Sequence, residues 1–120
     1  MSPTQKFIRG FGHASRGIGF AFGQRNMKIH VAATIGVLLF SALLPLSLTE
    51  WFIVLILVGL VWTAEILNTA IECLANVVRD SNKLSYQATR DARDLAAGAV
   101  LTTSIVAALI GLIIFVPKLL

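Results

Sequence analysis

Charge is what this chain has least of. Lys, Arg, Asp and Glu supply 13% of its 120 residues, 57% are hydrophobic, and the mean hydropathy is +0.83. Soluble globular chains average about 25% charged and 45–50% apolar residues, so the deficit excludes an ordinary water-facing surface and points to lipid as the solvent. One cysteine, Cys73, excludes an intramolecular disulfide and leaves the redox compartment open. The first 28 residues hold no long apolar run followed by a small-residue cleavage site, so they read as mature sequence and not as a secretory signal. A disordered chain, a disulfide scaffold and a large enzyme with its own soluble core are all excluded by length and composition. Residues 1–120 read as a single membrane domain.

What is present is organised in runs. Val31 to Leu48 (18 residues) and Leu95 to Pro117 (23 residues) carry no charge, each long enough to cross the roughly 30 Å hydrocarbon core as a helix. Trp51 to Ala64 is a further uncharged run of 14 that continues past Glu65 and Glu72 to about Val78, and reads as a third span. Transmembrane helices are therefore expected at about 29–48, 51–78 and 95–117. Pro45 and the polar Ser47–Glu50 stretch are expected to form a short turn, with Trp51 at the interface, so that the first two spans make an antiparallel hairpin. Residues 1–28 mix Phe7, Ile8, Phe11, Ile18, Phe20 and Phe22 with Lys6, Arg9, Arg16 and Arg25, the pattern of an amphipathic helix lying on a membrane surface. Its glycines predict a break near Gly17 to Gly23. Residues 79–94 form the only long polar loop.

The net charge of +4 and the sequence pI near 9.9 admit nucleic acid as a partner, but the placement of the charge excludes it. Nine of the ten basic residues lie in the amino-terminal region or the 79–94 loop, and Lys118 alone lies at the opposite side. By the positive-inside rule the amino terminus and that loop are cytoplasmic, facing the anionic inner leaflet.

Carboxylates within a span cost about 2.5 kcal/mol or more each to insert and are functional candidates by default. At 100° per residue, Asn68, Thr69, Glu72 and Asn76 fall within about 60° of the line of Glu65 and form one polar stripe with it. Counted from Trp51, Glu65 lies roughly 21 Å along the helix and Glu72 roughly 32 Å, at the cytoplasmic boundary. A carboxylate just below the interface can take a proton from a lipid hydroxyl, and one at the surface suits a divalent metal. Phosphoryl transfer needs few other parts. The same stripe also fits a purely structural reading, in which the polar residues hydrogen-bond between helices of an oligomer; the residues alone leave both open. His30 reads as an interfacial hydrogen-bonding residue and Cys73 as a small apolar one. Gly98, Gly111, Ala96, Ala97 and Ala99 suit close helix packing.

The run Glu65-Ile66-Leu67-Asn68-Thr69-Ala70-Ile71-Glu72, followed by Ala92-Arg93-Asp94-Leu95-Ala96-Ala97-Gly98-Ala99-Val100, closely resembles the prokaryotic integral-membrane diacylglycerol kinase family, which includes the undecaprenol kinases. Arg25-Asn26-Met27-Lys28-Ile29-His30, Glu50-Trp51 and the Gly111–Lys118 ending extend the resemblance over nearly the whole chain. It implies an all-α homotrimer with three transmembrane helices and an amino-terminal surface helix per subunit, in the bacterial inner membrane. It implies transfer of the γ-phosphate of ATP, with Mg2+, to a lipid alcohol, either diacylglycerol or undecaprenol. By position, Glu65 corresponds to the catalytic base, which also meets the lipid, with Asn68 shaping the site. Glu72 corresponds to the metal and ATP ligand, and Arg93 and Asp94 to a nucleotide-contacting pair. Lys6, Arg9 and His13 match positions of the surface helix, Lys6 and His13 on the nucleotide side and Arg9 on the lipid side. Gln24 stands where the family usually has a second metal-binding glutamate, Arg93 where it has lysine, and Asn76 where it commonly has aspartate. ATP has neither a Walker-type nor a Gly-rich loop to hold it here, which leaves side chains. These departures motivate the alternative of a catalytically weak homologue acting as a trimeric scaffold; a channel is a more distant third reading.

Overall fold

A computed structural model describes all residues, 1–120, and is helical almost throughout. Helix α1 spans Pro3–Phe22, α2 Arg25–Leu43, α3 Leu48–Ser81 and α4 Arg90–Leu119, with a single 3₁₀ turn at Tyr86–Thr89 before α4. Three of them, α2, α3 and the segment ending in α4, are long and apolar enough to cross a membrane.

The helix ends have local causes. Ser2 caps α1, accepting from the Gln5 backbone while the Gln5 side chain returns to the Ser2 N–H, and Pro3 occupies the first turn, where its missing donor costs nothing. The helix then runs unbroken through Gly10, Gly12, Gly17 and Gly19, so the expected break is confined to its last position. It falls at Gly23, where a Cβ would sit 3.3 Å from the Phe20 carbonyl oxygen. Arg25–Lys28 accordingly belong to α2 and not to the surface region.

Helix α2 stops at Leu43, five residues short of the expected end, because Leu44 is extended (φ −110°, ψ 152°), the conformation that the following Pro45 imposes. The turn is thus 44–47, and the Ser47–Glu50 stretch expected to form it is instead the start of α3. Ser47 accepts from the Glu50 N–H at 3.2 Å and the Glu50 carboxylate accepts from the Ser47 N–H at 2.8 Å, a reciprocal cap. Glu50 Oε2 also lies 3.0 Å from Lys118 Nζ, which ties the start of α3 to the end of α4.

At 34 residues, α3 is about 51 Å long, longer than the hydrocarbon core, so it carries its polar stripe out of the apolar layer without a break. The expected loop at 79–94 contracts to residues 82–85 plus the 3₁₀ turn. Lys83 adopts a left-handed conformation (φ 53°) and the Leu84 N–H closes on the Arg79 carbonyl at 2.8 Å, ending α3. Arg93 and Asp94 therefore lie in the first turns of α4. Polar side chains there do not end the helices, because they reach water from a helical backbone as readily as from a loop.

Only 13 of 120 residues are buried, and six of those are polar or charged: Ser41, Glu65, Asn68, Thr69, Thr89 and Arg93. Large apolar side chains such as Leu39, Phe52, Leu60 and Ile113 are exposed, an arrangement suited to lipid, against which leucine gains nothing by burial in protein. The main packing is α3 against α4, with α2 laid on α3 and α1 meeting the bundle near its carboxyl end. There Ala21 is buried and Phe22 meets Trp62 edge-on at 5.5 Å.

Ser47→Ala removes the α3 cap and is expected to cost about 1 kcal/mol of stability, read by reversible unfolding in mixed micelles. Lys118→Ala, which breaks the ion pair with Glu50, is expected to destabilise less than Ser47→Ala, because water screens that pair.

Candidate functional site

The polar stripe of α3 converges on two neighbouring clusters. In the first, Glu65 and Asn68 are buried (2% and 3% exposed) and line a cavity of about 170 Å³. Helix α2 contributes Asn26, Ile29 and His30 to its wall, and α4 contributes Ala97 and Val100. Glu65 Oε2 lies 3.5 Å from His30 Nε2. Asn68 donates from its amide nitrogen to Glu72 Oε1 at 3.4 Å, while its buried Oδ1 has no partner. An orphaned acceptor of this kind is uncommon in a buried site and is open to a donor or a cation. Glu72 itself is half-buried.

The second cluster is built on Arg93. Its guanidinium donates from Nη2 to Asn76 Oδ1 at 2.8 Å and from Nε to Thr89 Oγ1 at 2.9 Å, and it lies over the Tyr86 ring at 4.6 Å. Arginine's planar fork allows these contacts together. Asn76 serves as the acceptor that joins α3 to α4. Arg93 is buried and Asp94 beside it is exposed.

Glu65, Asn68 and Glu72 therefore come together as expected from their spacing. Lys6, Arg9 and His13 do not join them: all three are exposed on α1, none lines the cavity, and His13 pairs with Arg16 at 3.0 Å. Gln24 is the first, non-helical residue before α2 and its side chain makes no capping hydrogen bond. No group of three His, Cys, Asp or Glu side chains forms a metal-binding cluster within the chain. The donor set still suits magnesium, which typically takes one or two protein carboxylates and completes its shell with water and substrate phosphates; Glu72 with the free Asn68 oxygen nearby fits that pattern.

Two further residues line the cavity: His30, read from the sequence as an interfacial hydrogen-bonding residue and not as part of the site, and Asn26, to which the sequence reading gave no role. The available signal was depth: counted from the 44–47 turn, His30 lies roughly 21 Å along α2 and Glu65 roughly 27 Å along α3, nearly level in a tight hairpin.

His30 also borders a second, larger cleft of about 470 Å³ between α2, α3 and α4. Fourteen of its 18 lining residues are hydrophobic, among them Val37, Phe40, Leu57 and Phe115.

Lipid-facing helices that enclose carboxylate and amide groups, with an apolar cleft adjoining them, define a helical membrane protein with a polar site at one end of its spans. The prokaryotic diacylglycerol kinase family model matches residues 12–115, and the chain belongs to that family, whose members are kinase-type phosphotransferases. The chain is 40% identical over 119 residues to an undecaprenol kinase of Bacillus subtilis (strain 168), covering 98% of this chain and 94% of the relative. It is 32% identical over 111 residues to a diacylglycerol kinase of Synechocystis sp. (strain ATCC 27184 / PCC 6803 / Kazusa), covering 92% of this chain and 62% of that relative. No solved structure matches the chain significantly.

Arg93→Ala strips charge-assisted bonds from both Asn76 and Thr89 and is expected to destabilise the protein by about 2–3 kcal/mol. The same change should speed proteolysis within residues 82–89, followed by mass spectrometry of the fragments. Arg93→Lys, which cannot fork between the two acceptors, should fall between wild type and Arg93→Ala.

Proposed function

We propose that this protein transfers the γ-phosphate of ATP to the hydroxyl of a membrane lipid alcohol, with Glu65 as the base. The observation that carries the reading is the position of Glu65: a buried carboxylate in a small polar cavity, with an apolar cleft adjoining at His30. A lipid whose hydrocarbon lies in the cleft presents its hydroxyl at the cavity. Glu65 accepts the hydroxyl proton, the lipid oxygen bonds to the γ-phosphorus, and the bond to the β,γ-bridging oxygen breaks to release ADP.

Glu72 is the residue to hold Mg2+ on the nucleotide phosphates, with Gln24 as a neutral and weaker oxygen ligand. Bound there, the metal neutralises charge developing on the transferred group. Asn68 holds Glu72 by its amide nitrogen and offers its oxygen to the site. Asp94, exposed at the same end as Arg93, and the Arg93 N–H groups not used by Asn76 and Thr89 are the candidates for nucleotide contact.

On α1, Phe7, Phe11, Ile18 and Phe22 fall within about 60° of one line and Lys6, Arg9, His13 and Arg16 on the opposite face, the distribution of a helix that lies in a membrane surface. In that position Lys6 and His13 serve the nucleotide and Arg9 the lipid phosphate product. A homotrimer is the assembly that the family resemblance implies, and insertion in the bacterial inner membrane with the amino terminus and site cytoplasmic agrees with the basic-residue distribution. The undecaprenol kinase relative spans nearly the whole of both chains, which makes undecaprenol the first lipid to test and diacylglycerol the second.

The test is transfer from labelled ATP to each lipid in mixed micelles. Product is expected from one of them, and Glu65→Gln should lower its rate by about 100-fold or more. Absence of product from both lipids, with a folded oligomer, would favour the scaffold alternative. Gln24→Glu supplies a charged ligand and is expected to shift half-maximal activity to lower magnesium concentration; an unchanged magnesium curve removes residue 24 from the metal site.

A further inference from the structure

His30 is the one residue shared by the linings of the polar cavity and the apolar cleft. Its side chain faces Glu65, with Nε2 3.5 Å from Oε2. Its backbone is fixed from α3: the Trp62 indole N–H donates to Thr34 Oγ1 at 2.9 Å, and the Thr34 hydroxyl donates to the His30 carbonyl at 2.7 Å. Trp62 stands one turn before Glu65 on α3, and Phe22 packs edge-on against its ring. A relay of side chains thus sets the register of His30 against the carboxylate it meets.

We propose that His30 is a positioning residue for phosphoryl transfer: its imidazole holds the Glu65 carboxylate turned toward the junction of cavity and cleft, where a lipid hydroxyl arrives. The proposal rests on Glu65 being the base. A glutamate side chain turns about several bonds, and an unheld carboxylate in a cavity with several polar groups can turn to any of them. The imidazole Nε2 stands 3.5 Å from one carboxylate oxygen, within ion-pair range, and leaves the remaining lone pairs for the incoming hydroxyl. Misplacement of a reacting group by about 1 Å can cost about 100-fold in rate, so the holding contact acts on turnover more than on binding.

The test uses the full chain in mixed micelles with labelled ATP and the lipid it phosphorylates. His30→Ala is expected to lower kcat by about tenfold or more while KM for lipid and for ATP stay within about twofold. His30→Gln, whose amide also donates an N–H, should recover much of the loss. A readout independent of turnover comes from nitrogen-15 spectra of the imidazoles, since the chain has two histidines and His13→Gln identifies the other. Glu65→Gln should shift the His30 signals and leave those of His13 in place.

A kcat in His30→Ala within about twofold of wild type, a loss confined to lipid KM, or His30 signals indifferent to Glu65→Gln each overturn the proposal. Equal impairment in His30→Ala and His30→Gln, together with lowered unfolding temperature in both, assigns His30 to packing alone and overturns it as well. Wild-type protein that transfers phosphate to no lipid overturns the kinase reading and this proposal together. It is distinct from failure of this proposal alone, in which wild type and His30→Ala are equally active.

Discussion

Placing a carboxylate within an apolar span is the constraint on which the rest of this structure depends. Glu65 costs about 2.5 kcal/mol or more to insert at the middle of a helix, and that cost is tolerable only where neighbouring elements give the carboxylate polar company. Helix α2 supplies it through His30 and α3 through Asn68, while Ala97 on α4 is small enough to let the helices close around the cavity. The hairpin turn at 44–47 matters for this reason. It sets how α2 runs back along α3, and so which α2 residue stands level with Glu65.

The molecule is otherwise close to the inverse of a soluble domain. Its exposed surface is aliphatic and aromatic, and polar residues make up almost half of what it buries. Hydrophobic burial therefore contributes little to holding the helices together, and small residues, hydrogen bonds and end-to-end ties take its place. The Glu50–Lys118 pair at one end and the Asn76–Arg93–Thr89 bonds at the other fasten α3 to α4 at both extremities. The polar stripe lies between these ties on the same helix, so the ties that stabilise the pair also register the candidate site.

The contact between Asn76 and Arg93 depends on the chemistry of both side chains. An amide at Asn76 and a guanidinium at Arg93 form a neutral-acceptor, planar-donor pair that fits a fork. An aspartate and lysine at the same positions would form a compact ion pair with different reach. The two side chains are thus complementary in the folded chain. Gln24 has no such contact.

Helix number and type, the existence of the polar stripe and the grouping of Glu65, Asn68 and Glu72 were legible from residue order, because hydrophobic run length and the 3.6-residue period act within one segment. The family resemblance was equally legible, being carried by contiguous motifs. Helix ends were less so. Pro45 stopped α2 through the conformation of Leu44, Ser47 and Glu50 became a cap where a turn was expected, and the polar 79–94 stretch stayed largely helical. Each outcome turned on local chain geometry, whether the extended residue before a proline, a reciprocal cap or a short reversing turn, which composition does not encode. The partner of Glu65 was not legible at all: His30 is 35 positions away on another helix, and its role follows from the depth at which two helices cross. Periodicity specifies which face of a helix is polar, but what that face meets depends on the turn, tilt and register of its neighbours, and these arise only when the helices pack.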